Sequence, residues 1–238
     1  MILYDDSYFL LGKSFELDEN IKINNPTLEE IFDFGEEKYF SVVLNFISKP
    51  CDFKIQLSDL GIDFETIDDF EFFGIMVKNI SPDESRILFG DLDFTKLDLY
   101  IKENQEKIIK YENIIINELS YNLISEFIRK MNGLPVKKPE KYANEHVKQY
   151  IMEVERTKLR HAKKEPFKPM LIPLVSGLVN CSESSYSYSS VMQLTISQLH
   201  DAISRVNKVK NYNHVVQGIY AGTLQSDKIN QDDINWLK

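Results

Sequence analysis

The stretch TISQLHDAISRVNKVKNYNHVVQGIYAGTLQSDKINQDDINW, residues 195–236, decides the fold of this chain, because it carries the longest clean helical period in the sequence. Ile196, Leu199, Ile203, Val206, Val209, Tyr212, Val216, Ile219 and Tyr220 recur at three- and four-residue intervals. That spacing predicts one apolar stripe along a helix of about seven turns. Thr195 and Gln198 have the spacing of a capping box, and Gly222 supplies a left-handed stop. The coda Asp232-Asp233-Ile234-Asn235-Trp236 then carries the only Trp. So long a stripe has to lie on the rest of the fold or on a partner, and nothing in it is a reactive constellation.

Upstream of that stripe, Ser182 to Ser190 is a polar Ser/Tyr tract, read as a surface loop. Met170 to Val179 is almost wholly apolar and reads as a short buried helix. Asn144 caps a charged helix to about Lys164, whose narrow stripe of Val147, Tyr150, Ile151, Val154 and Leu159 leaves much of it in water. Leu134 to Tyr142, with two prolines, is an exposed connector and sets the boundary between two domains, 1–134 and 135–238. Ile115 to Met131 is helical, stopped by Asn132-Gly133.

The N-terminal part mixes periods. Residues 8–24 alternate weakly and read as a small β-hairpin or meander. Thr27 and Glu30 form a second capping box, Gly35 bends the helix that follows, and Lys49-Pro50 stops the next one, Glu36 to Ser48. Asp52 to Leu60 and Phe64 or Thr66 to Ile80 are further helical pieces, the latter rich in Phe. Ser81-Pro82-Asp83 reads as a turn, and from Ser85 to about Ile116 the period shortens toward two through Ile87-Leu88-Phe89, Leu97, Leu99, Ile101 and Ile108-Ile109-Lys110-Tyr111, giving a β-hairpin. The expected class is α+β, mainly α, with a small N-terminal antiparallel β-meander and a second β-hairpin.

At 238 residues and 43% hydrophobic content the chain can bury a sizeable core. No run approaches the roughly 18 apolar residues of a membrane span, and Met1 to Asp6 lacks the basic start of a signal peptide, so a cytosolic location is expected. Cys51 and Cys181 lie in dissimilar contexts without metal-type spacing and are expected as reduced thiols. Charge is uneven. Residues 1–100 hold 22 acidic and 8 basic side chains, a net of -14, and the remainder holds 15 and 20, a net of +5, which together give the formal -9. An acidic front half repels nucleic acid, and the two halves suit each other as an internally complementary surface.

Each chemical constellation has a plainer explanation. Gly12-Lys13-Ser14 resembles the end of a phosphate loop, but Ser7 stands where its first glycine belongs. Asp59, Asp63, Glu65, Asp68 and Asp69 are dense, yet lack the alternating spacing and closing glutamate of a calcium loop. His146, His161, His200 and His214 show no helical metal-pair spacing, and no base or glycine-flanked turn accompanies the serine tract. The basic run Lys137, Lys138, Lys141, Lys148, Arg156, Lys158, Arg160, Lys163, Lys164 and Lys168 is interleaved with Glu140, Glu145, Glu153, Glu155 and Glu165, a net of +5 from ten minus five. That suits a solvated or protein-facing helix better than DNA. No catalytic residue, cofactor or metal is expected.

Two stretches carry a family resemblance. The first runs from Pro26-Thr27-Leu28-Glu29-Glu30-Ile31-Phe32-Asp33-Phe34-Gly35 to Tyr39, continuing through Pro50 to Leu57 and Gly61 to Phe64. The second runs from Lys208 to His214 and Gly218-Ile219-Tyr220-Ala221-Gly222, ending in Ile234-Asn235-Trp236. Together they resemble the tail assembly chaperones of bacteriophages that infect low-GC Gram-positive bacteria. The resemblance implies a non-enzymatic protein of the host cytoplasm that binds the helical tape-measure protein, keeps its apolar surface in solution and helps recruit tail-tube subunits. It leaves room for a homo-oligomer and implies neither a nucleic-acid nor a membrane partner. The contacts it suggests are Tyr212, Val216, Tyr220 and Trp236, each of which could equally pack in the core. A structural virion component such as a neck or head-tail connector protein is the competing reading, and a phage enzyme or nucleic-acid-binding factor is the third.

Overall fold

The computed structural model describes residues 4–136, 142–162, 166–225, 229–230 and 235–237. The chain opens with helix α1 (Asp6–Leu10), capped by Asp5, whose carboxylate accepts from the Ser7 amide at 2.9 Å. Tyr8 to Leu11 is therefore helix and its end, not the first strand of a meander. A cap fixes a short segment where four residues of alternation cannot. Gly12 follows with φ of 63°, and a Cβ there would meet the Thr195 side chain at 2.9 Å. The apparent phosphate loop is thus a helix terminus pressed against another helix's cap. Strands β1 (Phe15–Glu16) and β2 (Lys22–Ile23) pair antiparallel as a two-stranded hairpin, with Phe15 opposite Ile23.

Helix α2 (Leu28–Phe34) starts from the expected box: Thr27 accepts from the Glu30 amide at 3.2 Å, and the Glu30 carboxylate accepts from the Thr27 amide at 2.7 Å. Gly35, at φ of 99°, turns the chain into α3 (Glu36–Ile47). A 3-10 turn at Pro50–Phe53 leads to α4 (Lys54–Asp59), and Asp68 caps α5 (Asp69–Val77). Ser81 and Glu84 form another capping box, so Pro82–Phe89 is helix α6 and Ile87-Leu88-Phe89 is not a strand. Strands β3 (Asp98–Ile101), β4 (Lys107–Tyr111) and β5 (Ile114–Asn117) make a three-stranded meander, in which Ile109 lies between Leu99 and Ile116. Of the two forms open to the N-terminal strands the structure has the hairpin, and the second sheet gains a third strand, β5, beyond the hairpin expected there. β5 takes Ile115 to Asn117 from the helix assigned there, because Asn117 caps α7 (Glu118–Met131).

The remaining helices are α8 (Glu145–His161), α9 (Leu171–Val179), α10 (Tyr188–Met192) and α11 (Ile196–Tyr220). The architecture is α+β and mainly α. α3 and α7 form the centre of the core, with Tyr39, Phe46, Phe73, Phe94 and Phe127 almost fully buried. Leu171, Val175, Leu178, Val191, Ile196 and Leu199 belong to the same apolar cluster, so residues 171–199 pack directly on the N-terminal elements. The Tyr39 hydroxyl donates to Asn132 at 2.8 Å inside that cluster. Cys51 and Cys181 are free thiols.

α8 covers a smaller cluster of Leu57, Phe64 and Phe72, to which Tyr142 and Met152 contribute. Here the charge asymmetry is resolved. Lys148 lies 2.6 Å from Glu65, 3.4 Å from Asp63 and 4.8 Å from the centre of the Phe64 ring. Arg156 reaches Asp59 at 2.8 Å, and Glu155 reaches Lys54 at 2.9 Å. Lys107 of β4 binds Asp68 and, at 2.8 Å, Glu71. The dense carboxylates are seats for cations of the same chain. Lys137, Lys138, Glu140, Lys141, Lys163, Lys164 and Glu165 of the basic run lie outside the described residues, as do Asp232, Asp233 and Ile234 of the coda.

Candidate functional site: the root and arm of the terminal helix

α11 is rooted by the start of α2. Leu28 donates its amide to Leu194 at 2.9 Å and Ile196 donates to Pro26 at 3.0 Å, so Thr27 and Thr195 face each other in an antiparallel bridge. Two capping boxes are thereby joined back to back. Asn25 donates to the Ser197 hydroxyl at 2.8 Å, and that hydroxyl donates to the Phe9 carbonyl at 3.0 Å. The Gln198 amide group donates to Leu10 at 3.0 Å. The helix start is held by α1, α2 and the segment between them.

One turn further, the ring of His200 lies on Gly133, where a Cβ would come within 3.3 Å of it. Its Nε2 is buried without a hydrogen-bond partner, and burial pushes its pKa below the ordinary 6.5. The folded protein therefore binds fewer protons here than the unfolded chain does, and stability falls as pH drops below about 6.5. Urea midpoints measured from pH 7.5 to 5.5 should fall for the wild type and stay nearly level for His200→Gln.

Beyond the root the helix leaves the core. Ala202, Ile203 and Val206 still pack on the main cluster, and no later residue of α11 does so among those described. Residues 207–220 thus form an arm of about 21 Å, at 1.5 Å per residue. Tyr212 and Val216 are half-buried on it, and Tyr220 at its end is 87% exposed. The chain turns at Gly222, and the Thr223 and Leu224 amides donate to the Gly218 carbonyl at 2.9 and 3.1 Å. A Cβ on Gly218 would lie 2.6 Å from the Leu224 side chain, so the glycine admits this close return. Arg205 donates to the Leu237 carbonyl at 3.3 Å, which brings the chain end back toward the root. Trp236, 42% exposed, therefore sits near the root. Tyr220 is fifteen helical residues from Arg205, about 22 Å along the axis. The structure places Tyr212, Val216 and Tyr220 along one arm, and Trp236 at its opposite end.

Large apolar side chains are also exposed at Met170, Ile172, Tyr188 and Leu224. Sequence periodicity had placed Met170 and Ile172 in a buried helix. α9 buries only the face of Leu171, Val175 and Leu178. The edge strand β3 also exposes Leu99, Tyr100 and Ile101, and its run of three adjacent apolar residues was the visible signal.

The concave surfaces are of other kinds. A polar groove of about 680 Å³ is lined by Asn25, Glu30, Asp33, Asp83 and Arg86 among others, but Glu30 is committed to its capping box and Arg86 lies 3.7 and 3.6 Å from Asp83 and Asp91. An apolar groove of about 350 Å³ runs between Leu44, Ile47, Phe53, Leu134 and Pro135, with Arg129 at its base. Among the described residues no group of three His, Cys, Asp or Glu is gathered as a metal site, and no helix is long and apolar enough to cross a membrane. Burial raises the phenols of Tyr39 and Tyr121, the latter to about 12, and both are structural members of the core.

The molecule is therefore a mainly helical α+β protein in which the outer part of α11 runs past the main apolar cluster and ends on the exposed Tyr220. Residues 162–238, which contain that arm, match the family model described as the YomV second domain, a phage-associated domain family. No curated protein and no solved structure matches the chain significantly.

Proposed function

We propose that this chain is a non-catalytic assembly factor of a phage tail, acting in the host cytoplasm to hold the tape-measure protein by its apolar helical surface and to assist the addition of tail-tube subunits. The observation that carries the reading is a long helix that continues well past the main core and ends on Tyr220 in the open, inside the segment similar to a phage-associated domain. An amphipathic partner helix recognises such a surface through side chains at i, i+4 and i+8 spacing, which is the relation of Tyr212, Val216 and Tyr220. A large aromatic at the tip adds contact area at low entropic cost.

Coexpression with the tape-measure protein of the same tail module is the test. The soluble yield of that protein should rise several-fold, and Tyr220→Asp should abolish most of the rise while leaving the far-UV spectrum and melting temperature unchanged. No change in solubility with the wild-type chain would defeat the proposal. Recovery of the chain as a stoichiometric part of purified virions would assign it instead to the structural class of neck or connector proteins.

A further inference from the structure

Strand β3 is an outer strand of its sheet, since the order is β3-β4-β5, and all four of its residues are exposed. Leu99, Tyr100 and Ile101 are 43%, 52% and 67% exposed. Lys102 donates its amide to the Glu106 carbonyl at 2.9 Å, so the backbone of Lys102 faces β4. The residues of an antiparallel ladder that face one neighbour alternate along the strand. In this register, with Tyr100 opposite Ile108 and Asp98 opposite Lys110, Tyr100 and Asp98 also turn their backbone groups to β4. Leu99 and Ile101 therefore turn theirs to the free edge. An open edge carrying consecutive apolar side chains is a template for another strand.

The sequence of that edge specifies the occupant. Asp98-Leu99-Tyr100-Ile101-Lys102 reads as a chemical palindrome about Tyr100. We propose that β3 pairs antiparallel with β3 of a second copy of this chain, extending the meander into a continuous six-stranded sheet across a two-fold axis at Tyr100. Leu99 then stands opposite Ile101 of the second copy, and these are the residues whose amides and carbonyls point outward, so each such pair exchanges both of its backbone hydrogen bonds. Asp98 stands opposite Lys102 of the second copy, which sets opposite charges across the strand at both ends. Tyr100 meets its own counterpart at the axis, in the close spacing of a pair without backbone bonds. Moving the axis to Leu99 or Ile101 loses the match, because Asp98 or Lys102 is then set against Tyr100. In the single chain Asp98 pairs with Lys78, and Lys102 with Glu106 at 2.9 Å. Both are exposed pairs that exchange partners at little cost.

Five residues from each chain bury less than the roughly 1,200–2,000 Å² of a stable interface, so the dimer is weak and concentration-dependent. Sedimentation equilibrium should show the average mass rising toward twice that of the chain between about 10 μM and 1 mM. Ile101→Pro removes an amide that points only to the free edge, so it should hold the mass at that of one chain over the same range and preserve the β3–β4 ladder. The register has its own readout. In a Cys51→Ser, Cys181→Ser background, Tyr100→Cys should form an intermolecular disulfide under mild oxidation at least about tenfold faster than Leu99→Cys, because only position 100 meets itself at disulfide distance. A mass independent of concentration, association that survives in a folded Ile101→Pro variant, or equal cross-linking at 99 and 100 would overturn the proposal. None of these readouts involves the tape-measure partner, so its fate is separate from that of the proposed function.

Discussion

Phe127→Ala should lower the stability of the chain by roughly 3–5 kcal/mol, a large part of the total for an ordinary domain. Phe127 is fully buried on α7, and its ring centre lies 5.1 Å from those of Tyr4 and Phe9 and 5.2 Å from that of Phe15. Those three rings come from the first fifteen residues, so Phe127 is the body around which the N-terminal segment closes. The loss includes the transfer of the ring and the cavity left among aromatic neighbours that cannot collapse together. It also loosens α1, whose Phe9 and Leu10 carbonyls accept from Ser197 and Gln198. The urea midpoint should fall sharply at an unchanged slope, while Leu44→Ala at an exposed position of α3 should change the stability by less than about 0.5 kcal/mol.

Glu36→Ala should cost on the order of 3 kcal/mol, and its effect should concentrate in α9. Glu36 is the first residue of α3 and is buried, and one carboxylate oxygen accepts from the amides of Met170 at 2.5 Å and Leu171 at 2.9 Å. α9 has no capping side chain of its own, so a residue 134 positions earlier in the sequence closes its first turn. A carboxylate in that place is favoured by both the hydrogen bonds and the positive ends of two helices. Removing it leaves two amides unsatisfied at the start of an apolar helix. Amide exchange should show Met170 and Leu171 losing protection well before the β4 amides, and Glu36→Gln, which keeps an acceptor oxygen, should retain part of it.

Three helix starts are legible in the sequence from their caps. Thr27 with Glu30, Thr195 with Gln198, and Asn144 each begin a helix where side-chain chemistry says one should. The differences fall where three or four apolar residues are weighed by alternation alone. Tyr8 to Leu11 follows Asp5, and Ile87 to Phe89 follows the Ser81 and Glu84 box, and in both places the cap decides the conformation. Ile115 to Asn117 is the reverse case: three apolar or polar residues were absorbed into a helix that Asn117 in fact starts. The complementarity of the acidic and basic halves was visible as composition, but which carboxylate meets Lys148 or Arg156 depends on where α8 lies. The candidate site has the same limit. Nine apolar positions of α11 look alike in sequence, and only the packing of α1, α7 and α9 around its first turns distinguishes the buried Leu199 from the half-buried Val216 and the open Tyr220. Glu36 was legible only as a first-turn acid, because its partners are contributed by another helix.

The single helix α11 consequently has two local stabilities. Its first eleven residues are anchored by tertiary packing and can open only when the whole domain does, whereas the outer fourteen lie off the main apolar cluster and are closed at their far end by the Leu224 return. Breathing of the helix begins at Tyr220 and propagates inward until it reaches Val206, where further unwinding would tear the interior apart. The outer turns can thus fray and re-form many times during the lifetime of one folded molecule.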